Sequence, residues 1–174
     1  MTHQLSKQWS ILLADTEATQ QLGYRLGQVI TAGSVLLLNG DLGSGKTTLI
    51  QGLGRALGIT EPIASPTFTL VCEYLEGTIP LYHLDLYRLQ PKEINLLYLE
   101  AYWQGDEYPP GIVAIEWAER LQHLPPDYLQ VDLSIVEQPT ASSHSNDPND
   151  GYGRQAQLQS VGAKSELVLQ QLMP

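Results

Sequence analysis

Gly40-Asp41-Leu42-Gly43-Ser44-Gly45-Lys46-Thr47 fits the pattern G-x-x-x-x-G-K-[ST] at every fixed position. Just upstream, Val35-Leu36-Leu37-Leu38 is a short apolar run of the kind that forms a buried strand. Downstream, Leu49, Ile50, Leu53, Ala56 and Leu57 fall on one face of a helix that Gly58 can stop. Strand, glycine loop and helix in that order predict an α/β fold organised around a phosphate-binding loop. Glycines allow successive main-chain N–H groups to turn inward as an anion nest. The helix starting near Lys46 points its positive dipole end at the same spot. Gly43, Ser44, Gly45 and Lys46 would hold the phosphates, with Lys46 as the point charge for the β- and γ-groups. The Thr47 hydroxyl is placed to ligate Mg²⁺, and Thr48 to donate near the α-phosphate. The expected ligand is a nucleoside triphosphate with magnesium; the loop does not select the base.

The rest of the chain supports one domain over residues 1–174. Trp9 to Leu13 reads as an opening strand, and Asp15 and Thr16 as caps of a helix carrying Leu22, Leu26, Val29 and Ile30 on one face. Phe68–Tyr74 and Leu81–Asp85 read as strands joined by a short connection, hence an antiparallel hairpin in a mixed, mostly parallel sheet. A helix is expected from Pro91 through Tyr98. Gly111–Glu116 is an apolar run suited to a central parallel strand. Strands at Leu129–Val136 and Arg154–Val161 and a helix at Lys164–Leu172 complete the pattern. Between them, Glu137 to Gly153 turns to Pro, Ser, Asn, Asp and Gly and reads as a flexible insert. The class is therefore a P-loop fold with flanking helices.

The chain has a formal charge of −10 and only 9 lysines and arginines. Strong nucleic-acid binders neutralise about 6–10 phosphates with clustered cations, so autonomous RNA or DNA binding is not expected, and a partner should hold most of any RNA involved. The single cysteine, Cys72, cannot form an internal disulfide, and no apolar run reaches transmembrane length. A soluble cytoplasmic protein is expected.

A phosphate loop needs an acid across the sheet to hold Mg²⁺ and to orient the attacking water. Glu116, closing the apolar strand, and Asp85, closing the Tyr82-His83-Leu84 strand, are the two candidates. Thr67 is a candidate for reaching the γ-phosphate. His83, His123 and His144 lack metal-ligand spacing and read as ordinary strand, loop and insert residues. Arg88, Arg120 and Arg154 are candidate cationic helpers whose default is a surface role.

Four blocks together resemble the TsaE (YjeE) family: the loop through Thr48, Ser65-Pro66-Thr67-Phe68-Thr69-Leu70-Val71, His83-Leu84-Asp85-Leu86-Tyr87-Arg88-Leu89, and Ile115-Glu116-Trp117. The opening Asp15-Thr16-Glu17-Ala18-Thr19 is similar too. The resemblance implies the ATPase component of the bacterial machinery that makes N6-threonylcarbamoyladenosine in transfer RNA. It implies protein partners, TsaB and TsaD, with tRNA met only through that complex. It further implies ATP and Mg²⁺ as ligands, with Thr47 and Glu116 serving the metal, and Lys46, Glu116 and Asp85 serving hydrolysis. By the same resemblance Thr16, Trp117 and Arg154 contact the rest of the nucleotide. The long insert departs from the compact family pattern.

The expected activity is slow, partner-stimulated ATP hydrolysis. Two other classes compete with it. A small-molecule phosphotransferase would usually carry an arginine-rich lid, and Glu137 to Gly153 contains no arginine. A non-hydrolysing adaptor would bind ATP only to order its switch segments. A GTPase is a weaker option, because the chain lacks N-K-x-D.

Overall fold

Residues 7–105, 107–137 and 152–174 are described by the computed structural model. Strand β2 (Val35–Asn39) precedes the glycine loop and β5 (Ile112–Glu116) pairs with it in parallel, Leu38 beside Glu116. Val35 to Leu38 and all of β5 are buried. Consecutive apolar side chains on a strand point to both faces, so such runs are stable only where both faces are covered. On one side β5 pairs in parallel with β4 (Leu81–Asp85), which pairs antiparallel with β3 (Val71–Tyr74). On the other side β2 pairs in parallel with β6 (Tyr128–Glu137). Antiparallel β7 (Tyr152–Val161) and β1 (Gln8–Leu13) complete the sheet, in the order β1-β7-β6-β2-β5-β4-β3. The expected mixed sheet, with a parallel centre and a hairpin at its edge, is therefore present.

Three helices cover one face. α1 (Thr16–Val29) begins at Asp15, whose carboxylate accepts the Ala18 N–H at 2.7 Å; such a cap contributes about 1 kcal/mol. α2 (Lys46–Ala56) follows the loop, and α5 (Ala163–Leu172) closes the chain. Leu26, Leu49, Leu53 and Leu169 pack there against Leu36, Leu38, Val131 and Leu158 of the sheet. Leu37, Tyr82, Leu84, Val113 and Ile115 form the opposite core, beneath a segment bearing the short helices α3 (Pro91–Ile94) and α4 (Ala101–Gln104). Among the described residues no helix is long and apolar enough to cross a membrane.

Two expected elements are shorter than their sequence suggests. The Phe68–Tyr74 strand begins only at Val71, because Leu70 takes a left-handed φ of 67° and its N–H bonds back to the Pro66 carbonyl at 2.7 Å. That turn holds Phe68 out of the sheet. The Pro91 helix stops at Ile94; Tyr98 sits at φ 49°, and both Leu97 and Tyr98 are exposed. The ends of the expected Glu137–Gly153 insert belong to the β6–β7 ladder, where Glu137 pairs with Tyr152 and Val136 with Gly153. The rest of that insert lies outside the described residues.

α1 and α2 touch backbone to backbone. A methyl group on Gly23 would lie 2.0 Å from the Leu49 carbonyl oxygen, and one on Gly52 1.9 Å from that of Gln20. No rotamer change relieves such a clash, so the helices would have to separate and lose their shared core contacts. Gly52→Ala is expected to cost about 2 kcal/mol or more in urea denaturation. Gln28→Ala, on the exposed side of α1, should stay within about 0.5 kcal/mol of the parent.

Candidate functional site

The glycine loop bridges β2 and α2, and its backbone dictates its glycines. Gly40 has φ 134°, and a Cβ there would stand 2.2 Å from the Leu133 carbonyl oxygen of β6. Gly45, at φ 104°, is the N-cap of α2 and offers no side-chain cap. The first amides of a helix have no intrahelical acceptor, so α2 presents N–H groups toward whatever occupies the loop. Ser44 is fully buried; its N–H bonds to the Asp41 carbonyl at 3.1 Å, and its Oγ is a buried hydroxyl without a partner.

Lys46 arches over this loop. Its Nζ donates to the carbonyls of Gly40 at 2.6 Å and Asp41 at 3.0 Å. It also lies 4.1 Å from the centre of the Trp117 ring. Burial lowers the pKa of this ammonium; the carboxylates of Glu116, Glu119, Asp85 and Asp41 pull the other way. A polyphosphate at the same position would add to the second influence and hold the lysine charged.

The two acids stand side by side because β4 and β5 are parallel and in register, Asp85 opposite Glu116. Both are buried, at 2% and 3% exposure. The Thr47 hydroxyl donates to Glu116 Oε1 at 2.7 Å, joining the first turn of α2 to the end of β5. His83 Nε2 meets the same oxygen at 2.9 Å. Asp85 Oδ2 accepts from the Ser65 and Thr67 hydroxyls, each at 2.6 Å, and Oδ1 accepts the Tyr87 N–H at 2.9 Å. Thus the turn before β3 is tied to the strand-end acid.

Trp117, immediately after β5, adopts φ 58° and ψ 40°. A left-handed tryptophan is strained by roughly 1–2 kcal/mol. The turn brings its indole against Lys46 and against the Tyr87 ring, at 4.8 Å between centroids.

These groups line one cleft of about 290 Å³. Gly43, Gly45, Lys46, Thr47 and Thr48 form its floor, Asp85, Glu116 and Trp117 one wall, and Thr16 and Arg154 the rim. Of the residues expected to hold the nucleotide or its metal, Ser44 alone is not part of the lining; it is fully buried in the loop. Thr67 is in the lining, whereas Arg88 and Arg120 are not. Arg88 stacks over Phe68 at 5.0 Å, and Arg120 donates to the Leu89 carbonyl at 2.9 Å. Four further lining residues escaped the sequence reading of the site: Thr19, Leu42, Ser65 and Tyr87. His83, expected to be an ordinary strand residue, touches Glu116. Thr19 lies one helical turn after Asp15, and His83 shares a strand face with Asp85; those periodicities were the available signals.

Among the described residues no group of three or more His, Cys, Asp or Glu side chains could enclose a metal. A hydroxyl paired with one carboxylate beside an anion cradle suits magnesium instead, which commonly takes one or two protein oxygens and completes its shell with phosphate and water.

Comparison with known proteins agrees with this architecture. The family model described as "Threonylcarbamoyl adenosine biosynthesis protein TsaE" matches residues 13–143. A tRNA threonylcarbamoyladenosine biosynthesis protein TsaE from a Nostoc species is 62% identical over 128 residues, which is 74% of this chain and 79% of that protein. The protein of the same name from Bacillus subtilis is 38% identical over 126 residues, 72% of this chain and 77% of its own. The crystal structure of Bacillus subtilis YdiB superposes with a TM-score of 0.72 at 30% identity, covering 97% of this chain and 95% of that one.

Because Asp85 anchors both hydroxyls and the Tyr87 amide, Asp85→Ala should loosen the turn locally. Amide hydrogen exchange in residues 65–70 and at Tyr87 is expected to quicken by about tenfold or more, while β5 keeps its protection. Unchanged exchange in that turn would show that Asp85 does not anchor it.

Proposed function

The chain belongs to the TsaE family, and on that premise we propose that it is a slow, Mg²⁺-dependent ATPase serving tRNA threonylcarbamoyladenosine biosynthesis. The observation that carries this reading is the 2.7 Å hydrogen bond from Thr47 to Glu116 beside the uncapped N-terminus of α2. It sets a hydroxyl and a carboxylate together where the loop's amides converge. The donor chemistry fits magnesium, and the left-handed glycines with the orphaned Ser44 hydroxyl fit a polyphosphate.

In this reading the loop amides and Lys46 bind the β- and γ-phosphates, Lys46 exchanging its carbonyl partners for phosphate oxygens. Thr47 and Glu116 hold the metal, which when bound neutralises charge on those phosphates. Thr48 donates near the α-phosphate, and Thr16, Trp117 and Arg154 contact the remainder of the nucleotide from the cleft wall and rim. Asp85 is the acid needed for hydrolysis: its Oδ2 already orders two hydroxyls, and accepting from the attacking water in place of one of them would orient that water. Arg154 is the only arginine lining the cleft among the described residues. With Arg88 and Arg120 engaged elsewhere, little cationic stabilisation of the transferring phosphoryl group comes from this chain. Slow turnover follows, and a partner is needed to raise it.

The partners in this proposal are TsaB and TsaD, with tRNA reached only through their complex, in the cytoplasm. The scarcity of cations supports that division of labour. Phosphate release by the isolated chain is expected at roughly 10⁻⁴ to 10⁻² s⁻¹, the range of P-loop sites that lack a finger supplied in trans. It should rise at least about tenfold with the partner pair and disappear in Lys46→Ala. Equal, fast rates with and without the partners would refute the partner-stimulated part of the proposal. Transfer of labelled phosphate to an acceptor other than water would favour a phosphotransferase.

A further inference from the structure

His83 is fully buried in the middle of β4. Its register neighbour on β5 is Ala114, whose small side chain leaves room for the imidazole to lean diagonally toward Glu116. There Nε2 meets Glu116 Oε1 at 2.9 Å, the oxygen that also takes the Thr47 hydroxyl. Its other nitrogen, Nδ1, is buried without a hydrogen-bond partner. A histidine kept only for packing would be improved upon by Leu or Phe, which leave no orphaned nitrogen. The contact with Glu116 is what the imidazole supplies and an apolar residue cannot.

We propose that His83 is a positioning residue for the metal-binding carboxylate. A carboxylate oxygen accepts, so the contact at 2.9 Å is a hydrogen bond when the imidazole donates from Nε2, and Nδ1 has no partner to serve. Two donors on Oε1 fix the rotamer of Glu116. Fixed in that way, Glu116 takes the single Thr47 proton and leaves the lone pairs of Thr47 Oγ1 for the cation. This inference rests on the Mg–ATP reading of the cleft and adds a residue to which that reading gives no role. His83 itself is not part of the cleft lining.

Three variants of one binding experiment test it. ATP uptake is measured by calorimetry across a magnesium titration, and again with chelator, for the parent chain, His83→Phe and His83→Gln. His83→Phe keeps a planar ring but no donor; His83→Gln can donate from its amide near the position of Nε2. Loss of partners that orient a metal ligand typically weakens metal affinity about 10–100-fold. His83→Phe is therefore expected to raise the half-saturating magnesium concentration about tenfold or more, with metal-free ATP affinity changed less than about twofold. His83→Gln should stay within about threefold of the parent. An unchanged magnesium requirement in folded His83→Phe, an equal loss with and without magnesium, or no rescue by His83→Gln would overturn the proposal. Should His83→Phe not fold, the imidazole ¹⁵N spectrum of the parent chain decides: a proton on Nε2 is expected, and an Nε2 without a proton overturns it. Absence of any ATP uptake by the parent chain would instead defeat the Mg–ATP reading itself.

Discussion

The hydrogen bond between Thr47 and Glu116 ties the two halves of the cleft together, and much of the fold can be understood as what it takes to make it. Thr47 is in the first turn of α2, and Glu116 is the last residue of β5, 69 positions later. They meet because β5 lies parallel beside β2, so that the strand ends and the loop open on the same edge. Parallel neighbours need crossover connections and cover on both faces. The leucines of β2 and the unbroken apolar run of β5 satisfy that demand, with α1 and α2 on one side and the Tyr82–Ile115 core on the other. The close contact at Gly23 and Gly52 then holds α2 at a fixed depth over the sheet.

Charge in the cleft follows from that geometry. Register places Glu116 and Asp85 next to each other, and burial would penalise both carboxylates if nothing donated to them. Each has donors: Thr47 for Glu116, which His83 Nε2 also meets, and Ser65, Thr67 and the Tyr87 amide for Asp85. Lys46 stands on the other side, pulled toward neutrality by its burial and toward charge by the acids. Its ammonium is held between the carbonyls of its own loop and the face of Trp117. The strained Trp117 turn, between the end of β5 and a short 3-10 turn at Ala118–Arg120, is the local cost of putting an indole there.

The loop, its strand and its helix were legible in the sequence because each depends on local pattern: the fixed glycines, four apolar residues in a row, and a helical apolar face. Glu116 and Asp85 were legible as strand-end acids for the same reason. Other features depended on tertiary context. Leu70 reads as strand by composition, but in its left-handed turn its carbonyl accepts the Asp85 N–H at 3.1 Å, a tie to a residue 15 positions away. The helix after Pro91 is cut short although Leu97 and Tyr98 have helical spacing, because neither finds a core to enter. His83 was discounted for want of metal-ligand spacing. Its importance lies in the diagonal neighbour created by the β4–β5 register, which no single strand reveals. Thr19 and Tyr87 likewise reach the cleft only once α1 and the end of β4 are brought against the loop.

The central claim is that a triphosphate sits on the α2 amides with its cation held at Thr47 and Glu116. The most direct measurement is a crystal structure with a non-hydrolysable ATP analogue and Mn²⁺ in place of magnesium, the metal located by its anomalous signal. The account predicts one peak about 2.1 Å from Thr47 Oγ1, in contact with Glu116 directly or through one water, and the γ-phosphate beside Lys46. A nucleotide bound outside the loop, or a metal peak remote from both side chains, would contradict it.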